Sequence, residues 1–189
     1  MFIQTEPTPN PATLKFLPGQ TVLASGALEY RSKESAAKAP LAEALLSIDG
    51  VESVMFGQDF VSVTKNGVDW AHLKPAVLGI IMEHFSSHAP LLIGDGGGDG
   101  ETQDAAAEFF DPAQAETVAT IKELIETRVR PAVAGDGGDI VFRGLKDGVV
   151  YLTMKGACSG CPSSTATLKN GIENLLRHFV PEIRGVEQA

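Results

Sequence analysis

GACSGCPSSTATLKNGIENLL, residues 156 to 176, holds both cysteines of the 189-residue chain. Cys158 and Cys161 are two residues apart, with Gly156, Gly160 and Pro162 around them. Leu168, Ile172, Leu175, Leu176 and Phe179 follow at i, i+4, i+7, i+8 and i+11, the apolar stripe of an amphipathic helix. The stretch therefore predicts a loop that delivers two thiols to the start of a helix. Cys161 stands at the cap, where unpaired N–H groups and the positive end of the helix dipole favour thiolate over thiol. The two glycines allow tight turning, and Ser159, Ser163 and Ser164 offer hydroxyl donors. His178, in the helix's last turn, suits the negative end of the dipole.

Working outward, IVFRGL (140–145) and VVYLTM (149–154) read as strands joined by Lys146-Asp147-Gly148, with GDGGD (135–139) as a loop ahead of them. Asp111 and Pro112 form a cap and first-turn signal. Val118, Ile121, Leu124, Ile125 and Val129 then mark one face of a helix that should stop before Pro131. EIRGVEQ reads as a closing strand. The order α-β-β-α-β implies a parallel crossover between the second strand and the last.

The charge pattern divides the chain. Twenty-four acidic and 15 basic residues give a net charge of −9. Residues 91–110 contribute five acidic groups and no basic one. Gly94 to Ala107 has no apolar residue larger than alanine, so it predicts a flexible, acidic, Gly-rich linker. It lacks the spacing of a calcium loop and the Gly-Lys-Ser/Thr of a phosphate loop. Ahead of it, FIQTE and TLKFLPG read as strands around a turn at Pro7–Pro11. Pro40 opens a helix through Ile48, VESVMF and FVSVTK form a hairpin, and a last helix runs over roughly Leu73 to Phe85. The expected fold class is α+β: two small α+β domains at 1–90 and 111–189, joined by a linker at 91–110.

Hydrophobic residues make up 43% of the chain, enough for a core in each domain. No apolar run is long enough to span a membrane, and the start has no basic region followed by an apolar stretch, so no secretion signal is expected. The acidic balance gives no footprint for nucleic acid. Two cysteines fit a reducing compartment better than a secreted disulfide framework.

Three chemistries use a Cys-x-x-Cys pair. A thioredoxin-type redox site needs a βαβ unit ahead of the motif, and here a hairpin precedes it. A structural zinc needs about four ligands. The histidines are His72, His84, His88 and His178; His84 and His88 stand i, i+4 but in the other domain, as polar residues at a helix end. An iron–sulfur cluster also needs four thiolates. One chain supplies two, and two chains supply 2 × 2 = 4, so a symmetric dimer with the cluster across its axis meets the count. A dithiol redox protein and a zinc-stapled interaction module remain the alternatives.

GDGGDI with the hairpin and GACSGCPSSTATLKNGIENLL, over about residues 113–187, resembles the C-terminal domain of NifU, the Nfu module of iron–sulfur cluster assembly. MFIQTEPTPNPATLKFLPG with DGVESVMFGQDFVSVTK resembles the N-terminal domain of Nfu proteins of the mitochondrial and α-proteobacterial type. The resemblance implies a scaffold or carrier, not an enzyme. It would bind a [4Fe–4S] cluster (with [2Fe–2S] left open) between two subunits of a homodimer. It would take the cluster from upstream assembly proteins and deliver it to apo iron–sulfur clients. Cys158 and Cys161 match the ligand pair, and Asp136, Gly137 and Gly138 match a glycine-rich loop of structural role. The implied setting is the bacterial cytoplasm, or the mitochondrial matrix for a processed eukaryotic chain, with no nucleic acid and no membrane involved.

Overall fold

The computed structural model describes residues 2–94 and 107–189. Residues 95–106, most of the expected linker, lie outside them. The chain splits into two compact α+β units, Met1–Thr102 and Gln103–Ala189.

The first unit is built on a five-stranded antiparallel sheet. Its strands are β1 (Gln4–Pro7), β2 (Thr13–Leu17), β3 (Leu28–Tyr30), β4 (Val51–Phe56) and β5 (Val61–Lys65), in the order β1-β2-β5-β4-β3. Helices α1 (Pro40–Leu46) and α2 (Trp70–Ser86) supply the apolar cover. Phe16, Val54, Phe56, Val61 and Val63 from the sheet share one core with Leu41, Leu45, Val77 and Ile81 from the helices. Pro40 opens α1 as expected, and Asp69 caps α2 by accepting the Ala71 N–H at 2.9 Å. Leu91 and Leu92 pack against this core, so the near edge of the acidic stretch belongs to the first unit. Strand β3 was not expected from the sequence: three residues are too short to show alternation.

The far edge of the expected linker belongs to the second unit: the Phe109 N–H donates to Arg143 O at 3.1 Å and Phe110 packs on the core, and the carboxylate of Asp111 then accepts the Ala113 N–H at 2.9 Å. The cap leads into a 3-10 turn, Pro112–Gln114, and then α3 (Ala115–Leu124). The stop expected before Pro131 does not occur. The helix continues through a π segment, Ile125–Val129, into α4 (Arg130–Gly135). Proline removes an N–H and crowds the carbonyl four residues back. The Arg130 N–H reaches five residues back to Ile125 O, and this wider turn carries the chain past Pro131 without ending the helix.

Strands β6 (Gly138–Lys146) and β7 (Val149–Gly156) pair antiparallel. Helix α5 (Pro162–Phe179) crosses over to β8 (Gly185–Gln188), which runs parallel to β7, with Val150 opposite Val186. That is the expected crossover. The expected loop at 135–139 is shorter than foreseen, because Gly138 and Asp139 already belong to β6. Ile121, Leu124 and Ile125 pack with Ile140, Leu152 and Met154 of the sheet and with Ile172 and Leu176 of α5.

Ile121 is fully buried in this core. Ile121→Ala should cost about 2–5 kcal/mol of stability, read as a lower denaturation midpoint, with the first unit's transition unmoved if the two units unfold independently.

Candidate cysteine site

The segment from Ala157 to Cys161 connects β7 to α5, and backbone bonds hold both of its ends. The Ala157 N–H donates to Gly137 O at 3.2 Å, and the Ser159 N–H donates to Gly156 O at 3.1 Å. At the far end the Thr165 N–H reaches Cys161 O at 2.9 Å as the first helical bond. Cys161 is the N-cap residue of α5, with φ −109° and ψ 109°, and Pro162 follows in the first turn. Gly137, Gly156 and Gly160 all have positive φ, at 78°, 61° and 83°. The turn before β6 and both ends of the cysteine loop therefore use backbone that only glycine adopts cheaply.

The two thiols sit in different surroundings. Cys158 is buried at 6% exposure and belongs to the apolar core of the second unit. Its sulfur lies against the Cα of Gly138, where an added Cβ would collide with it. Cys161 is half-buried at the loop's rim. Neither forms a disulfide. Cys158, in the loop ahead of the cap, has the opposite environment to the one expected at the helix end for Cys161. Burial, with the negative charges of Asp136 and Asp139 adding to it, pushes this thiol up to about 12.

Of the three serines expected to serve the sulfurs, Ser163 does so: its Oγ lies 3.3 Å from Cys161 Sγ. Ser159 Oγ donates to Gly156 O at 2.9 Å, so it braces the turn. The side chain of Ser164 lies outside what is described. Thr165, not expected from sequence, donates its hydroxyl to Cys158 O at 3.1 Å.

An ion pair that the sequence did not reveal anchors the strand beneath the loop. Arg130 donates from Nε and Nη2 to the two Asp139 oxygens at 2.8 and 2.9 Å, and from Nη1 to Glu126 at 2.8 Å. The bidentate bond to Asp139 raises the guanidinium's pKa further above its ordinary value, and the Glu126 bond adds to this. Arg130 follows the π segment directly, so the wide turn also sets the angle from which this side chain meets β6.

His84 and His88 form no pair. His84 is buried on α2, and desolvation lowers its pKa. His88 is exposed with a positive φ of 54°. Among the described residues no cluster of three or more His, Cys, Asp or Glu is placed to hold a metal ion. The second unit thus offers a site of two sulfurs at a helix start, short of a full ligand set by two.

The family model described as "NifU-like domain" matches residues 121–187, and that described as "Scaffold protein Nfu/NifU N terminal" matches residues 3–88. NifU-like protein 4, mitochondrial, of Arabidopsis thaliana is 50% identical over the whole chain, which spans 66% of that protein. The human protein named NFU1 iron-sulfur cluster scaffold homolog, mitochondrial, is 46% identical over the whole chain, which spans 72% of it. The chain thus covers about two thirds of these relatives' length. Among solved structures, a NifU-like protein of Saccharomyces cerevisiae aligns with 50% of this chain and 87% of its own at 27% identity, with a TM-score of 0.43.

Two outcomes check the site's geometry. Gly138→Ala should cost about 1–3 kcal/mol by overpacking against Cys158, measured by denaturant unfolding of the apo chain. Alkylation at pH 8 should label Cys161 at least about tenfold faster than Cys158, since thiolate is the reactive form; peptide mapping reads this. A thiol held neutral in the fold stabilises it fully below its unfolded pKa. That stabilisation is lost as pH rises toward 12, so Cys158 labelling should accelerate in that window.

Proposed function

The chain belongs to the Nfu family, whose N-terminal and NifU-like domains it carries in order, and we propose that it is a carrier of iron–sulfur clusters. Cys158 and Cys161 bind the cargo as thiolates. Each chain supplies two sulfurs, and a second copy supplies the other two that a [4Fe–4S] cluster requires; [2Fe–2S] needs the same number. The observation that carries this reading is the paired placement of two thiols on a glycine-hinged loop at a helix start, one sulfur in the core and one at the rim.

The chemistry is ligand exchange, with no substrate bond made or broken beyond iron–sulfur bonds. Iron displaces the proton of each thiol as it binds, so loading releases protons and is favoured by rising pH. Cys161, the more exposed sulfur, yields first to an incoming client thiolate, while Cys158 holds the cargo from within the core. The β6–β7 hairpin ahead of the cysteine loop, where a thioredoxin-type site needs a βαβ unit, argues against a dithiol redox enzyme. The partners are upstream assembly proteins as donors and apo iron–sulfur proteins as clients. Residues 1–90 recognise them, and residues 111–189 carry the cluster. The relatives' names place those proteins in mitochondria, which supports the matrix as the setting.

Anaerobic reconstitution with iron and sulfide tests the proposal. The wild-type chain should turn brown with broad visible absorption, and more so at pH 8 than at pH 6. Cys158→Ser and Cys161→Ser should each lose at least about tenfold in cluster content while keeping the wild-type circular dichroism. Cluster retained in either variant contradicts the ligand assignment, and a wild-type chain that unfolds when a chelator strips its metal would indicate a structural metal instead.

A further inference from the structure

We propose that Ser163 is a positioning residue for the cargo: its hydroxyl donates a hydrogen bond to the Cys161 thiolate in the loaded state and raises the cluster's reduction potential. This rests on the reading that Cys158 and Cys161 hold an iron–sulfur cluster. Ser163 Oγ stands 3.3 Å from Cys161 Sγ, within hydrogen-bond reach for sulfur. In the apo chain either atom can be the donor. Once iron holds the sulfur, Cys161 has no proton left and can only accept, so the hydroxyl must be the donor. A donor facing a charged sulfur makes a charge-assisted bond, stronger than a neutral one.

The placement of Ser163 suits that role. It lies in the first turn of α5, two residues after the cap, and its carbonyl accepts the Thr167 hydroxyl at 3.0 Å. Its backbone is therefore fixed by the helix, and its hydroxyl has one torsion to set. Among the described residues, the Ser159 hydroxyl donates to Gly156 O and the Thr165 hydroxyl to Cys158 O. The two sulfurs differ accordingly. The Cys158 sulfur packs in the core beside Gly138, and the Cys161 sulfur meets a hydroxyl. Outer-shell donors of this kind tune what a first ligand can do. A donor to a ligand sulfur stabilises the added negative charge of the reduced cluster, and so raises its potential. It also draws electron density from the thiolate, which weakens the bond that a client must break at the exposed position.

The test is a potentiometric titration of the reconstituted full chain, followed by electron paramagnetic resonance, for wild type, Ser163→Ala and Ser163→Thr. Ser163→Ala should favour the oxidised cluster about tenfold at fixed potential, a downward shift of about 59 mV for one electron. Ser163→Thr keeps the hydroxyl and should keep the wild-type potential. An alanine variant at the wild-type potential overturns the proposal. A threonine variant shifted as far as alanine also overturns it, because packing rather than the hydrogen bond would then set the potential. Iron and sulfide counted on the same samples separate the two levels: a wild-type chain that takes up neither overturns both readings, whereas a loaded wild type with an unmoved alanine variant overturns the role of Ser163 alone.

Discussion

The Cys158 sulfur lies against the bare Cα of Gly138, and no methyl group fits between them. This contact joins the first residue of β6 to the loop that follows β7, and the rest of the site is arranged around it. Gly138 pairs with Gly156 across the two strands, and Ala157 donates to Gly137 just above. The cysteine loop is therefore laid on a glycine floor, close enough to make the thiol part of the core. Arg130 secures the same floor from the helix side by holding Asp139, the residue after Gly138, with two hydrogen bonds. The π segment belongs to this scheme: it lets the helix run past Pro131 while bringing Arg130 to the strand.

Burial beside two carboxylates gives the apo chain a neutral Cys158. For a carrier that arrangement has a use. A neutral, covered thiol resists oxidation and stray alkylation while the site waits for cargo. Iron reverses the balance, since a coordinating thiol is deprotonated outright. On the proposed carrier reading, the burial that disfavours the thiolate would become an anchor once iron is present, and the rim sulfur of Cys161 would be left for exchange. Two thiols of unequal accessibility would suit such a carrier, which must both hold and release.

Long periodic segments were legible in the sequence. The stripe from Leu168 to Phe179 gave α5, the alternation in VVYLTM gave β7, and their order gave the parallel crossover to β8, because a right-handed strand–helix–strand unit leaves few other solutions. The cysteine loop was legible as a loop at a helix start, since Gly156, Gly160 and Pro162 carry local conformational signals. Three features were not. The π segment hides because proline reads as a stop, and the bond that rescues it, from Arg130 to Ile125, has no sequence signature. The Arg130–Asp139 pair depends on how α4 meets β6, a tertiary matter. The burial of Cys158 depends on Gly138, 20 positions away, so the desolvation that keeps this thiol neutral is an effect that local sequence cannot express.

Whether two chains complete one site is decided most directly by light scattering during anaerobic size exclusion, with iron and sulfide assayed on each fraction. A shared [4Fe–4S] cluster gives 4/2 = 2 irons and two sulfides per chain. The expected result is a brown species of twice the chain mass with that ratio, beside a colourless apo chain mainly at the monomer mass when dilute, because cargo that binds only the dimer pulls the association equilibrium toward it. A brown monomer with four irons would contradict the shared site, since ligands other than Cys158 and Cys161 would then be holding the cluster.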